Sequence, residues 1–152
     1  MKHIIISFLF IVIASSAASA QCKCGSPANG EITHKGGNEL YTQVLPKTYK
    51  SIRGVAQQIH GKAMNGVLVE LFDNSEWIRQ GLSESPVEQR RIATCKTNHD
   101  GKFCFKDIPP GQYELRLSLN RAWNVVHTYV EVNPRSSRST DEGIRILMHP
   151  GH

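Results

Sequence analysis

The sequence predicts an all-β fold, a seven-stranded antiparallel β-sandwich with Greek-key connections. Three observations support this prediction. Several short segments alternate apolar and polar residues with a period of two. Turn-forming residues separate these segments at intervals of roughly 8–12 residues, which is typical of sandwiches. The third observation is that no segment after the N-terminal apolar stretch shows a convincing amphipathic helical pattern.

The N-terminus resembles a secretory signal peptide. Lys2 and His3 precede an apolar run over residues 4–14, and the small residues "ASA" end at Ala20. We therefore expect cleavage near Ala20 and a secreted or periplasmic (cell-envelope) location. The apolar run is short for a bilayer span, which needs about 20 residues, and no later stretch is as apolar. The mature chain is therefore expected to lack a transmembrane segment.

The remaining chain divides into three parts. Residues 21–50 are rich in Gly, Asn, Lys and Pro and predict a loop-rich N-terminal arm. Residues 51–149 carry the alternating segments and predict the sandwich domain, and residues 150–152 form a C-terminal tail. The charge is mildly basic, with 18 Lys and Arg against 13 Asp and Glu. It is scattered, which argues against nucleic acid as a partner and leaves weak attraction to anionic envelope polymers open.

Seven segments are predicted as strands. In chain order they are "SIRGVAQQ", "GVLVELFD", "IATCKT", "KFCFKDI", "YELRLSL", "WNVVHTYVEV" and "GIRILM". In "YELRLSL" the alternation predicts that Tyr113, Leu115, Leu117 and Leu119 face inward and that Glu114, Arg116 and Ser118 face outward. Val67, Val69 and Leu71 share one side of their strand, and Ile144, Ile146 and Met148 share one face of theirs. Residues 74–91 are polar and predict an insertion between strands, with one short helical turn around residues 76–80.

The stretch "IPPGQY" predicts a corner where the chain passes from one sheet to the other. Pro109 and Pro110 cannot donate backbone hydrogen bonds, so they end the preceding strand. We expect Gly111 to adopt a backbone conformation that most residues avoid. Tyr113 then begins a buried strand, and its hydroxyl can reach back to the connecting backbone.

The stretch "NHDG" predicts a hairpin between its flanking strands, and two registers are possible. A loop of only His99 and Asp100 places Cys95 opposite Cys104 but drives Lys96 into the core. A type I turn over residues 98–101, with Gly101 in the left-handed region, fits better. This second register places Ala93, Cys95, Thr97, Phe103 and Phe105 inward and points Lys96 and Cys104 outward.

The four cysteines, Cys22, Cys24, Cys95 and Cys104, are disulfide candidates in an oxidising compartment. A Cys95–Cys104 bond and a bond from the arm to Cys95 or Cys104 both stay open. A zinc site is disfavoured because the spacing lacks C-x-x-C pairs. The tail "HPGH", with His149 and His152, is interpreted as exposed chain rather than a metal site.

Residues 51–148 resemble the carboxypeptidase regulatory-like domain, which has a transthyretin (prealbumin)-like sandwich. The resemblance rests on "GV" at 54–55, "GVLV" at 66–69, "DGKF" at 100–103 and "PPGQY" at 109–113. It implies a prealbumin-like sandwich without catalytic residues of its own. The long insertion at residues 74–91 and the cysteines Cys95 and Cys104 depart from the general pattern.

The sequence predicts a binding or structural module rather than an enzyme. It offers no nucleophile with a base, no cofactor motif and no metal-ligand spacing, so catalytic, cofactor and metal sites are all predicted to be absent. We expect contacts through the insertion, and the ligand-contact candidates are Trp77, Arg79, Arg90, Arg91 and Trp123. The partner is expected to be an envelope or extracellular protein, or a polysaccharide. Carbohydrate binding through Trp77 or Trp123 is the alternative function.

Overall fold

The computed structural model describes residues 26–27, 38–41, 47–74 and 89–151. Within these ranges the protein is built of strands and turns without a helix, and therefore contains no helix that could cross a membrane. Two sheets face each other across one apolar core. This arrangement confirms the all-β sandwich.

Ten strands form the two sheets within the described ranges. They are β1 (Ser26–Pro27), β2 (Glu39–Tyr41), β3 (Lys47–Tyr49), β4 (Ile52–Gln58), β5 (Leu68–Asp73), β6 (Arg91–Lys96), β7 (Lys102–Phe105), β8 (Gly111–Ser118), β9 (Val125–Val132) and β10 (Ile144–Met148). The last seven, β4 to β10, coincide with the seven predicted segments. The first three lie in the stretch that the composition predicts as loop, so the arm contributes short strands.

The large sheet has the order β1-β6-β5-β8-β9, and both β2 and β3 add to the far edge of β9. The small sheet has the order β10-β4-β7. The prediction of purely antiparallel sheets is wrong in this detail, because β10 pairs parallel to β4, and β2 and β3 pair parallel to β9. Apolar alternation has the same period in both kinds of pairing, so it does not encode strand direction.

The core confirms the predicted inward face of β8, and it shows that the faces shared by the Val67 and Ile144 sets are also inward. Leu71, Leu115 and Met148 are fully buried between the sheets. The other buried members of these three sets are Val67, Val69, Tyr113, Leu117, Ile144 and Ile146, whereas Leu119, which was predicted inward, is only partly buried at the edge. Phe103 and Phe105 enter from β7 with their ring centroids 6.5 Å apart. Alternation in the sequence therefore identifies the core correctly.

The "NHDG" turn has the predicted geometry but a different role. Gly101 has a φ of 72°, and the Asn98 side chain accepts hydrogen bonds from the backbone N–H groups of Asp100 and Lys102. The predicted inner residues are buried, while Lys96 is exposed and Cys104 is partly exposed. The flanking strands do not form a hairpin, because β6 joins the large sheet while β7 pairs with β4. The turn therefore carries the chain between the two layers.

The "IPPGQY" corner also connects the layers, from β7 to β8. The Tyr113 hydroxyl donates to the Pro109 carbonyl over 2.8 Å, as predicted. The prediction for Gly111 is wrong, because the positive φ of this corner belongs to Asp107 at 55°. Gly111 instead lies close to the tyrosine ring, since a Cβ there would lie 3.2 Å from the Tyr113 hydroxyl oxygen. A larger residue at this position would therefore make a tight contact with Tyr113.

Candidate functional site

The candidate site is a cluster of charged residues on the outer face of the large sheet. Cross-strand pairing places Glu70 opposite Arg116, and Arg116 opposite His127. Glu114 lies two residues before Arg116 on the same face. Arg91 is held on neighbouring β6, where it pairs with Phe72. We call Glu70, Gln89, Arg91, Glu114, Arg116 and His127 the ionic cluster. Glu70, Glu114 and His127 are buried, although they lie on the face away from the apolar core.

Glu114 is the centre of the ionic cluster. Its carboxylate accepts hydrogen bonds from Nδ1 of His127 over 2.7 Å, from Nε of Arg116 over 2.6 Å and from Nε2 of Gln89 over 2.7 Å. Burial alone would raise the pKa of Glu114, but these three hydrogen bonds outweigh it and lower the pKa to about 2. Glu114 is therefore ionised throughout the neutral range.

Arg116 joins the ionic cluster to an aromatic side chain. Its Cζ lies 4.0 Å from the centroid of the Phe72 ring, a cation–π distance. Its Nη2 also donates to the side-chain oxygen of Gln89. A second ion pair joins Arg91 to Glu70 over 3.0 Å, with the Glu70 side chain fully buried. Each described carboxylate of the ionic cluster therefore has an arginine beside it, which burial of a charge requires.

The ionic cluster fixes both ends of the segment 75–88, which lies outside the described residues. On the β5 side, Asn74 is buried and accepts from Gln89 over 2.9 Å. Backbone bonds close the base, from the Asp73 N–H to the Arg90 carbonyl and from the Asn74 N–H to the Gln112 carbonyl. The segment therefore leaves and returns through one rigid base.

Chemically, the ionic cluster is suited to holding charges rather than moving protons. A carboxylate with a pKa of about 2 is a weak base at neutral pH. In the described part of the chain, no group of three or more His, Cys, Asp or Glu side chains has metal-binding geometry. The arrangement is a largely buried, mutually neutralising network between the two ends of the segment 75–88.

The structure brings together only part of the predicted contact set. Arg90 projects at the base of the segment, with its side chain 79 % exposed and 3.7 Å from Asp73. Arg91 is largely buried against Glu70, so its guanidinium is committed to the ionic cluster. Trp123 is half-buried against the core at the sandwich edge. Trp77 and Arg79 lie in the segment outside the described residues.

Two of the four predicted disulfide candidates lie in the described residues, one in each layer. Cys95 is buried in β6 opposite Val69, and Cys104 is partly exposed in β7 opposite Arg53. Cys22 and Cys24 lie outside the described residues. The backbone of β1 pairs with β6 at Ser26–Thr94, which brings the arm to the strand that carries Cys95. A bond between the arm and the sandwich stays a prediction.

Sequence reasoning missed the ionic cluster because alternation only places Glu114 and Arg116 outward. It shows that the two residues lie away from the core, but it cannot show that Glu114 is buried there. One signal was available in the apolar run "GVLVELF", where Glu70 is the single charged residue. A charge inside such a run indicates burial with a partner.

Comparison with known proteins gives one family. The sequence model described as "BOS complex subunit NOMO1-like, second beta sandwich domain" matches residues 55–142. No curated protein and no solved structure gives a significant match. The match lies inside the stretch that resembles the carboxypeptidase regulatory-like domain and agrees with that resemblance at the level of the β-sandwich class. Because the match spans more than half of the chain, this protein belongs to the NOMO1-like second beta sandwich domain family.

Proposed function

We propose that the protein is an exported, non-catalytic binding module whose contacts with a partner protein come from the segment between Asn74 and Arg91. The observation that carries the proposal is the rigid base of this segment. Gln89 bonds both Asn74 and Glu114, so the ionic cluster holds the two ends of the segment at a fixed separation. Loops on a rigid sandwich are a common place for recognition, because the scaffold limits the entropy lost on binding.

The family supports a protein partner over a polysaccharide. Its description names a subunit of a complex, and the matched unit is one β-sandwich domain of that subunit. A non-catalytic structural or binding role agrees with this description. The exposed Arg90 and the predicted contacts Trp77 and Arg79 are the residue types that dominate protein interfaces.

Loop replacement tests the proposed surface. The mature protein would be immobilised and exposed to the envelope or extracellular fraction of its source cells, beside a variant whose residues 75–88 are replaced by a short Gly-Ser linker. We expect a specific protein to be retained by the wild type, lost by the linker variant and weakened by Arg90→Glu. Arg135→Glu, at an exposed position elsewhere, serves as the charge-matched control. Equal retention by all four proteins would contradict the proposal.

The alternative function is tested in parallel on a glycan array. Binding to a defined glycan that is lost in Trp77→Ala or Trp123→Ala, while circular dichroism shows an intact fold, would replace the protein partner with a carbohydrate. Export is a separate element of the proposal. N-terminal sequencing of the protein recovered outside the cytoplasm is expected to begin at Gln21, and an intact Met1 would refute cleavage.

A further inference from the structure

The outer face of the small sheet differs from that of the large sheet because it is open to solvent. Alternation along β4, β7 and β10 directs Arg53, Val55, Lys102, Arg145 and Leu147 outward, and we call these five residues the basic face. In register, Val55 pairs with Lys102 on one side and with Arg145 on the other. Arg53 lies two residues before Val55 on the same side of β4. Three cations therefore surround one valine.

The cations of the basic face are only partly neutralised within the described residues. Arg53 donates to the backbone carbonyl of Asp141. The Asp141 carboxylate makes its ion pair with Lys50 over 2.8 Å, although the charge of Arg53 also acts on it. Lys102 has Asp100 at 3.7 Å, and no described acid makes an ion pair with Arg145. The basic face therefore has an excess of positive charge.

A cleft of about 400 Å³ opens on the basic face. All three cations line it together with Val55, and Glu142 is the one acid among its lining residues. Guanidinium groups bind carboxylates through two parallel hydrogen bonds. The cleft can therefore receive carboxylates from a partner.

Exposed apolar side chains on the small sheet help to decide between a protein and a polysaccharide as the partner of the basic face. Among the described residues the two exposed large apolar side chains are Ile59, at 49 % exposure, and Leu147, at 40 %. Leu147 pairs with Gln57 in β4, and Ile59 follows the end of β4. Both therefore lie toward the same end of the small sheet, and Leu147 lies two residues beyond Arg145 on the same side of β10. A polysaccharide rich in acid groups offers little apolar surface to cover them, whereas a protein segment offers both kinds of group.

We propose that the basic face docks an acidic segment of a partner protein that also presents apolar side chains. Its carboxylates would lie against Arg53, Lys102 and Arg145, and its apolar side chains would cover Leu147 and Val55. The basic face belongs to the small sheet, whereas the 75–88 segment leaves and returns through strands of the large sheet. The inference is therefore independent of the function proposed above, and either can fail alone.

The test uses a fluorescein-labelled peptide of glutamate with interspersed leucine, titrated with the mature protein and followed by fluorescence anisotropy. Reversing two exposed cations in Lys102→Glu/Arg145→Glu is expected to weaken binding roughly tenfold at moderate salt, since each exposed pair contributes a modest electrostatic energy and reversal adds repulsion. The control Arg135→Glu/Arg138→Glu changes net charge equally at exposed positions elsewhere. It is expected to leave the affinity within about twofold, since distant surface charges are largely screened.

Two further probes separate the partner classes. Leu147→Ser is expected to lower the affinity for the leucine-containing peptide. It is not expected to lower the affinity for an acidic peptide in which serine replaces leucine. Heparin is expected to bind more weakly than the leucine-containing peptide. Equal weakening by the control variant would reduce the effect to net charge and overturn the proposal. Tight heparin binding that ignores Leu147→Ser would assign the face to a polyanion instead, and absence of peptide binding would also overturn it.

Discussion

The carboxyl group of Glu114 should make the free energy of unfolding of the domain depend on pH, with a loss of stability in acid. In the unfolded chain its pKa takes the ordinary value of 4.5, whereas the hydrogen bonds from His127, Arg116 and Gln89 lower it to about 2 in the folded protein. At about 1.4 kcal/mol per pKa unit, ionised Glu114 contributes at most about 3 kcal/mol to folding. This contribution is complete above pH 4.5 and disappears as the pH falls towards 2, because the unfolded chain takes up the proton first. By pH 3 about 2 kcal/mol of it should be lost.

Urea unfolding at pH 7 and pH 3, followed by tryptophan fluorescence, measures this loss. Wild type and the exposed-acid control Glu142→Gln should both lose stability on acidification, and Glu114→Gln should lose about 2 kcal/mol less because it has no carboxyl group to titrate. A domain of this size has about 5–15 kcal/mol in total, so the difference is measurable. Equal losses in all three proteins would refute the reasoning. If Glu114→Gln does not fold, the carboxyl carbon of Glu114 in the wild type can be titrated by NMR, and a midpoint near 4.5 would refute it too.

Three further predictions concern the free energy of unfolding, measured in urea at neutral pH. Tyr113→Phe removes the hydrogen bond to Pro109 and should cost about 1 kcal/mol; no change would show that water replaces it. Gly54→Ala places a Cβ 2.2 Å from a backbone oxygen of β10, whereas at Gly143 the nearest atom is 3.7 Å away. Gly54→Ala should cost about 1–3 kcal/mol or more through overpacking, and Gly143→Ala should cost much less. Equal costs for the two variants would contradict the packing argument. Thr97→Val leaves two buried backbone groups without their hydroxyl partner and should cost about 1–3 kcal/mol; a neutral result would refute that role.

Much of the fold follows from local rules that act over a few residues. Alternation places Leu115 and Met148 in the core, and the paired prolines with Tyr113 predict the corner between layers. The register argument at "NHDG" identifies Phe103 and Phe105 as inward. These features depend on side-chain polarity and turn chemistry, which are visible in the sequence.

The features that escaped prediction depend on distant parts of the chain. The parallel pairing of β4 with β10 is set by how the chain crosses between the layers. The residues of the two strands do not indicate their relative direction. The ionic cluster likewise needs β5, β8 and β9 side by side before Glu70, Arg116 and His127 lie next to one another. The expectation for Gly111 was wrong because its φ is not positive, and its close neighbour is the Tyr113 ring, which only the folded structure shows.

The pairing of β4 with β10 also has a consequence for the order of folding. Ile144 lies beside Gly54, about 90 positions away in the sequence, so the chain must close a very long loop before this ladder forms. Such non-local contacts slow folding. Until β10 arrives, one edge of β4 and the apolar surface that Ile146 and Met148 cover remain accessible to other chains. Refolding yield should therefore fall steeply as protein concentration rises, because intermolecular strand pairing competes with the last step of assembly.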